Sequence, residues 1–303
     1  MTDVSHRLFS LAELEEAGIS PASAQRAVRG GTLVRVVPGI YAPAPWWSRL
    51  RPGDRAYQMH VAVRRSARRA PVFCRDSAAT VLGLRVLHRP LVPHVIQQID
   101  HGSRNNRHVV HHWAELPPAD VVEANGFRAT SHARTALDCA RFLPVPGALA
   151  LVDHALRLGV SRQELLARCA ALPGHRGVRR ARVVLELADP RSESVGETLT
   201  RLVVVRAGLP PPELQVEVET DLGIFRPDFV WPQARLILEF DGLVTYSGAH
   251  GRADHVLIAE RQREKALTNR GWRVLRTDWA TVTGRPELLV SMLRRELARA
   301  TAP

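Results

Sequence analysis

Apolar residues near the start of the chain recur first at helical spacing and then in alternation, as they do in strands. A first helix is predicted over 11–17, and Ser20 with Pro21 supplies the N-cap and first position of a second helix that ends at Gly30. Residues 33–42 have strand character on both sides of a Pro-Gly turn. Helix, turn, helix and a two-stranded wing are therefore predicted in this order, which is the organisation of a winged helix.

The middle of the chain, from about 55 to 185, has a less informative pattern. Apolar spacing predicts helices around Val61 and over 78–82, 134–142 and 149–158. It also predicts one strand, over 92–99. Five histidines gather here, namely His101, His108, His111, His112 and His132, without a His-x3-His pair on a predicted helix. We expect His111 and His112 in a strand, one ring inward and one outward, and a scaffold role for the segment.

The last third of the chain has the clearest order of elements. A helix is predicted from Ser194 to Gly208, and then three strands of which the last ends at Glu239, a helix over 254–269, a strand over 272–276 and a helix over 286–298. The order αβββαβα, after a winged helix and a mixed middle segment, predicts a multidomain protein of the α+β / α/β class. We place the domains at 1–50, 51–190 and 191–303.

Carboxylates stand at the ends of two of these predicted strands. Asp228 lies within the predicted strand 224–230, and Glu239 and Asp241 end the next strand after a spacing that allows one tight turn. Residues of a strand alternate between faces, so Glu239 and Asp241 project to the same side of the predicted hairpin. Carboxylates gathered in this way raise one another's pKa unless basic side chains or a hard metal ion accompany them. Mg2+, or Mn2+ in its place, is the expected cofactor.

The balance of charge points to a polyanionic partner. The chain has 42 Lys and Arg against 30 Asp and Glu, a formal charge of +12, and an isoelectric point near 11.1. DNA is therefore the expected partner. Lys265 is the sole lysine, and the bias towards arginine is equally expected from a GC-rich genome.

Cysteine usage and the terminal sequence exclude several classes of protein. Cys74, Cys139 and Cys169 are odd in number and far apart, which argues against a disulfide framework and a zinc ribbon. The amino terminus has no basic patch followed by an apolar stretch, and no 18 apolar residues run without a charge. We expect a cytoplasmic protein with no membrane partner.

The second predicted helix carries side chains suited to DNA. Ser23, Gln25, Arg26 and Arg29 are of types that contact base edges and phosphates, and Arg35 on the wing is placed to meet a flanking phosphate. The alternative is that these arginines form only the solvated face of a small helical domain.

Three segments resemble the amino-terminal winged helix of the AbiEi-type antitoxin family, namely 9–14, 18–20 and 31–42. The last of them contains Gly-Ile-Tyr at 39–41. Residues 130–138 resemble the middle region of the same family. The resemblance implies DNA binding and autorepression, together with a toxin or defence-system partner.

The segment 191–303 resembles the restriction-endonuclease-like PD-(D/E)XK superfamily, and more closely its very-short-patch-repair-like branch. The resemblance rests on four motifs: Arg-Pro-Asp-Phe at 226–229, Glu-Phe-Asp-Gly at 239–242, the segment 260–265, and Gly-Trp-Arg-Val-Leu-Arg at 271–276. It implies metal-dependent hydrolysis of DNA phosphodiesters. Asp228 and Glu239 would hold the ion, and Glu197 on the preceding helix would help to close the site.

The cation expected in such a site is displaced in this chain. Asp241 stands where many superfamily members carry a lysine, and Thr245 and Tyr246 stand where related domains show one shortly after Asp-Gly. Lys265 on the following helix is the candidate replacement, with residues 261–263 of the same helix as alternatives, and a lone lysine on a charged helix is commonly solvent-facing. The catalytic set implied is Asp228, Glu239, Asp241 and Lys265.

Each acidic residue of this set also has a purely structural interpretation. Glu197 completes a Ser-x-x-Glu capping box at a helix start. Asp228 could instead pair with Arg226 on an edge strand. Glu239 and Asp241 could be an acidic pair that flanks a turn.

Two functions from different classes follow from these patterns. The first is a DNA-binding protein with a Mg2+-dependent endonuclease domain. The second is a non-enzymatic, antitoxin-like transcriptional repressor in which the nuclease fold is degenerate, an interpretation that the displaced lysine favours. The sequence leaves the oligomeric state open.

Overall fold

The structure, a computed structural model, describes residues 7–97, 107–242 and 250–301. The chain forms two compact units, Met1–Glu186 and Leu187–Pro303. Both mix helices with sheets, which confirms the prediction of a multidomain α+β protein. No helix in the described ranges is long and apolar enough to cross a membrane. His101, Thr245 and Tyr246 lie outside the described residues.

The helices of the first unit are α1 (Leu11–Glu16), α2 (Pro21–Arg29), α3 (Ala44–Arg49), α4 (Pro52–Ser66), α5 (Arg75–Val81), α6 (His132–Phe142), α7 (Val145–Arg157), α8 (Arg162–Ala170) and α9 (Val178–Leu187). Its strands are β1 (Phe9–Ser10), β2 (Leu33–Val37), β3 (Ile40–Pro43), β4 (Val72–Phe73), β5 (His94–Gln97), β6 (Val110–Trp113), β7 (Val121–Ala124) and β8 (Phe127–Thr130). One sheet has the order β1-β3-β2 and the other β6-β5-β4-β8-β7.

The first four predicted elements of the chain are present as α1, α2, β2 and β3. Ser10 caps α1 in a capping box with Glu13, and the hydroxyl of Ser20 accepts the amide of Ser23 at the start of α2. Gly39 turns the chain between β2 and β3 with a φ of 80°, a value that favours glycine. The Ser20 cap and the turn at Gly39 are the local signals from which the sequence predicted the second helix and the wing.

The wing strands and the five-stranded sheet share one apolar core. Val36 of β2 and Ile40 of β3 belong to the same cluster of buried side chains as Val61 of α4, Phe73 of β4 and Phe127 of β8. The core therefore runs without a break past the domain boundary predicted near residue 50.

The middle segment contains the predicted helices, with α6 and α7 starting a few residues before the predicted bounds. The predicted strand 92–99 corresponds to β5, and residues 98 and 99 lie outside the described part. His111 and His112 lie in β6, as predicted, where β6 runs parallel to β5.

The helices of the second unit are α10 (Val195–Arg206), α11 (His250–Asn269), α12 (Trp279–Gly284) and α13 (Pro286–Thr301). Its strands are β9 (Glu213–Leu214), β10 (Val218–Thr220), β11 (Gly223–Phe225), β12 (Phe229–Trp231), β13 (Leu236–Asp241) and β14 (Arg273–Asp278). Four of the strands form one sheet in the order β14-β13-β12-β9, and β10 and β11 form a separate hairpin. The assignment of this unit to the restriction-endonuclease-like fold stays a prediction.

The hairpin predicted around the acidic residues is present, with one correction. β12 pairs antiparallel with β13, and β13 pairs parallel with β14. The prediction of one strand over 224–230 is wrong, because β11 pairs with β10 whereas β12 pairs with β9 and β13. Pro227 lies between them, and a proline cannot donate a ladder hydrogen bond. Asp228 therefore precedes β12 instead of lying inside a strand.

A glycine brings α10 against β13 in the second unit. A Cβ atom added to Gly196 would lie 2.0 Å from an edge carbon of the Phe240 ring. The two residues adjoin Glu197 on α10 and Glu239 on β13, so this close contact sets the separation of the two acidic residues.

We expect Gly196→Ala to destabilise the second unit, because the added methyl group overlaps the Phe240 ring. Overpacking of this kind costs about 1–3 kcal/mol. Gly284→Ala is the matched control, since a Cβ there meets nothing within 4 Å. Urea unfolding of both variants measures the difference, and equal stabilities would contradict the close-contact argument.

Candidate functional site

The outer face of α2 carries the side chains predicted to read DNA. Ala24 is buried in a cluster with Leu14, and Val28 packs against the same cluster. Since these two positions lie on one side of the helix, Gln25, Arg26 and Arg29 remain exposed.

Ser23 and Arg35 have different surroundings from the three exposed residues of α2. The Ser23 hydroxyl lies 3.0 Å from that of Ser20 and accepts a hydrogen bond of 2.8 Å from Arg26, so it belongs to the helix cap. Arg35 is exposed on β2, on the wing. The contacts of these residues with DNA stay a prediction.

The acidic site of the second unit is organised around the side-chain amide of Gln215. Its Nε2 donates to Asp228 Oδ1 at 3.3 Å and to Glu197 Oε2 at 3.2 Å. The other oxygen of Asp228 accepts the backbone amide of Phe240 at 2.9 Å. Gln215 follows β9 with a φ of 56°, a left-handed conformation that is uncommon for residues other than glycine. Gln215 thus brings Asp228 and Glu197 together.

Glu197 contacts both the start of α10 and the neighbouring acidic residue. Its amide donates to the Ser194 hydroxyl at 3.0 Å, as in a capping box. Its carboxylate accepts a hydrogen bond of 2.6 Å from the backbone amide of Glu193, one residue before the N-cap. It also accepts the hydrogen bond from the side-chain amide of Gln215. The side chain therefore stabilises the start of α10 and still faces Asp228.

Glu239 is paired with a cation from α11. Its Oε1 accepts a hydrogen bond of 2.5 Å from Arg263 Nη2. The Arg263 guanidinium also lies over the Phe225 ring, 5.4 Å from its centroid. Its Nε is buried and has no hydrogen-bond partner among the described residues. Residues 261–263 were the alternatives to Lys265 in the sequence. Of these, Arg263 is on the side of α11 that contacts Glu239.

Asp241 lies at the open edge of the site. Its carboxylate is half exposed and lies 3.6 Å from Arg276 Nη1. Arg276 also contacts Glu260 and Glu264 of α11 at 3.9 and 3.3 Å. Asp241 thus belongs to a partly solvated network of charges next to Glu239.

Two of the sequence interpretations are corrected by these contacts. Lys265 is exposed, and no hydrogen bond or ion pair joins it to the acidic side chains in the described part of the chain. It lies two positions from Arg263, which on a helix points it to a different side. Arg226 pairs with Glu193 at 2.8 Å, so the interpretation of Asp228 as its strand partner is wrong.

Burial dominates the electrostatics of the acidic site. Loss of water raises the pKa of Glu197, and the charge of Asp228 raises it further. Burial likewise raises the pKa of Asp228, against the opposing hydrogen bond from the Phe240 amide. Burial raises the pKa of Glu239 although Arg263 lowers it. The ionised form of each of these three carboxyl groups is therefore less favourable in the folded protein than in water.

The chemistry of these oxygen ligands suits a hard cation such as Mg2+, but their present contacts are with protein donors. Within the described ranges, no group of three or more His, Cys, Asp or Glu side chains is arranged to hold a metal ion. Gln215 occupies the space between Asp228 and Glu197, and Arg263 holds Glu239. Sequence reasoning missed Gln215, because its role depends on a left-handed backbone that the sequence does not signal.

Comparison with known proteins identifies the class of the first unit. The family model described as "Transcriptional regulator, AbiEi antitoxin" matches residues 5–44, and the one described as "AbiEi antitoxin C-terminal domain" matches residues 71–187. These matches confirm the AbiEi resemblance at the amino-terminal and middle regions. Neither of them extends beyond residue 187.

Relatives of similar length are found in Mycobacterium tuberculosis. Uncharacterized protein MT2308 of strain CDC 1551 / Oshkosh and uncharacterized protein Rv2248 of strain ATCC 25618 / H37Rv are each 31% identical over 277 residues, covering 90% of this chain and 95% of theirs. The chain belongs to the family of these two proteins. A crystal structure of the RV2827C protein from Mycobacterium tuberculosis has a TM-score of 0.40 and 18% identity, covering 70% of this chain and 83% of that one.

The raised pKa values predict a pH-dependent effect of Glu197→Gln. A carboxyl group with a folded pKa above its unfolded value contributes stability below the unfolded pKa, and this is lost as pH rises through the folded pKa. We therefore expect the free energy of unfolding of the variant to improve relative to wild type between pH 4.5, the ordinary value for the group, and neutral pH.

Urea titrations at several pH values measure this difference. Glu219→Gln, at an exposed position of β10, is the matched control and should show no such trend. A difference between Glu197→Gln and wild type that does not change with pH would contradict the electrostatic account.

Proposed function

We propose that this protein is a DNA-binding transcriptional regulator that reads DNA with α2 and the wing and acts with a toxin partner. The exposed face of Gln25, Arg26 and Arg29 is the observation that carries this proposal. The family models support it, since one is described as a transcriptional regulator and both as AbiEi antitoxin domains.

The arginines of this face are available for phosphate. Within the described part of the chain, Arg26, Arg29 and Arg35 have no ion pair with a carboxylate. An arginine without an internal partner can neutralise a phosphate and release counterions without first breaking a salt bridge. The capping contact between Arg26 and Ser23 holds one of these side chains over the start of α2.

We expect Arg29→Gln to weaken DNA binding and to make it less dependent on salt. Loss of one phosphate contact reduces the slope of log affinity against log salt by about 1. Fluorescence anisotropy with a duplex from the region upstream of the gene measures both quantities. Arg295→Gln removes the same charge from an exposed position of α13 and is the control. Unchanged affinity of Arg29→Gln, or wild-type affinity that does not respond to salt, would reject this binding face.

The acidic site of the second unit supports a second candidate function, metal-dependent cleavage of DNA. Three carboxyl groups with raised pKa values adjoin one another there, the buried Glu197 and the partly buried Asp228 and Glu239, and such groups are frequent at functional sites. Asp228, Glu239 and Glu197 would hold Mg2+ or Mn2+, which lowers the pKa of bound water and neutralises charge on phosphate. Arg263, which contacts Glu239, is better placed than Lys265 to act as the cation, and Asp241 lies at the rim.

A plasmid assay tests the second candidate. We expect wild-type protein with Mg2+ or Mn2+ to nick supercoiled plasmid, and Asp228→Asn or added EDTA to abolish the nicking. Asp221→Asn is the control, because Asp221 is an exposed carboxylate paired with Arg270 at 2.6 Å on the same unit. Intact plasmid with wild-type protein, in samples that still bind DNA, would exclude the nuclease and leave the regulator.

A further inference from the structure

A cavity of about 630 Å3 lies in the first unit, within the range matched by the AbiEi antitoxin C-terminal domain. Side chains of β6, α5, α6 and α8 line it. Sites for small organic ligands commonly have volumes of this order. The cavity is separate from the α2 face, and its residues are used by neither candidate function above.

Most of the charged side chains around the cavity neutralise one another. Arg134 pairs with Asp120 at 3.0 Å and with Asp138 at 2.8 Å. Arg168 pairs with the other oxygen of Asp120 at 2.8 Å. Arg141 lies 3.5 Å from Asp138 and donates to a backbone carbonyl. The buried carboxylates of the wall are therefore already matched by these three arginines.

Arg75 is the cation of this wall that lacks such a partner. Its guanidinium lies 3.8 Å from the centroid of the Phe142 ring. Among the described residues it has no ion pair and no side-chain hydrogen bond. Arg75 also adopts a φ of 54°, which is unfavourable for a residue with a Cβ and recurs at ligand sites. A guanidinium stacked on a ring with its donors free is suited to an anion.

Two further side chains of the cavity wall have unused binding capacity. His112 has a buried Nε2 without a hydrogen-bond partner in the described part of the chain. Burial lowers the pKa of His112 to about 4, so the ring is neutral at pH 7 and can donate or accept according to its tautomer. Trp113 is 70% exposed and offers a flat surface.

We propose that this cavity binds a small organic anion that carries a flat ring. The anionic group, a phosphate or a carboxylate, takes the free donors of Arg75, and His112 Nε2 completes its hydrogen bonds. The ring of the ligand stacks on Trp113, since aromatic side chains bind planar groups through their faces. The site follows from the contacts of the first unit alone and depends on neither candidate function.

Calorimetric titration of the full chain tests the proposal at constant ionic strength. The probes are adenosine 5′-monophosphate, benzoate and inorganic phosphate, so that the first two distinguish phosphate from carboxylate as the anionic group. We expect at least one ring-bearing anion to bind, and Arg75→Gln and Trp113→Ala each to weaken it about tenfold or more. Tighter binding of the nucleotide identifies phosphate, and tighter binding of benzoate identifies carboxylate.

Arg128→Gln is the matched control, because Arg128 is an exposed arginine of β8 outside the cavity lining. It should bind the probe like wild type. Trp113 is exposed, so its replacement keeps the test decisive even if Arg75→Gln fails to fold. The proposal is overturned if neither ring-bearing anion binds at about 1 mM, if inorganic phosphate binds as tightly as the nucleotide, or if Arg128→Gln weakens binding equally.

Discussion

The apolar core that joins the wing strands to the five-stranded sheet constrains the whole first unit. Phe73 and Phe127 meet edge to face at its centre, 5.5 Å between ring centroids, and Val36 and Ile40 of the wing pack into the same cluster. Full burial of each such side chain contributes about 1.5–3 kcal/mol. The ion pair of Arg65 with Glu13 also links α4 to α1, but it is partly exposed and contributes less. The wing strands are therefore positioned mainly by apolar packing shared with the AbiEi-matched domain, and α2 packs against the wing through a separate cluster in which Ala24 meets Tyr41 of β3.

The second unit differs from the first, because its acidic site is polar and electrostatically unfavourable. Glu197 and Asp228 share one neutral side-chain donor, Gln215, and each also accepts one backbone amide, whereas Glu239 is paired with a cation, Arg263. Burial raises the pKa of all three carboxyl groups in spite of these contacts, so their ionisation costs stability. A cluster of this kind is more readily explained by use than by folding, which is why cleavage remains a second candidate beside regulation.

Local signals in the sequence predicted local structure well and tertiary relations poorly. Apolar spacing over 11–17, the N-cap Ser20 and the turn at Gly39 predicted the winged-helix elements because each acts within a few residues. The strand over 224–230 was wrongly predicted to continue across Pro227, where the strand pairing changes partners. The side of α11 that meets the sheet, and with it Arg263, could not be read from a helix that is charged on most sides.

Pairing distinguishes the arginines of this basic chain more sharply than their number does. Arg134 and Arg141 form ion pairs with buried carboxylates, so their charge is neutralised within the fold and is not available to a partner. Arg29 and Arg75 have no carboxylate partner among the described residues, and each retains free donors. The count of 42 Lys and Arg therefore overstates the number of cations available to DNA, because paired arginines stabilise the protein and only unpaired ones remain able to bind phosphate or another anion.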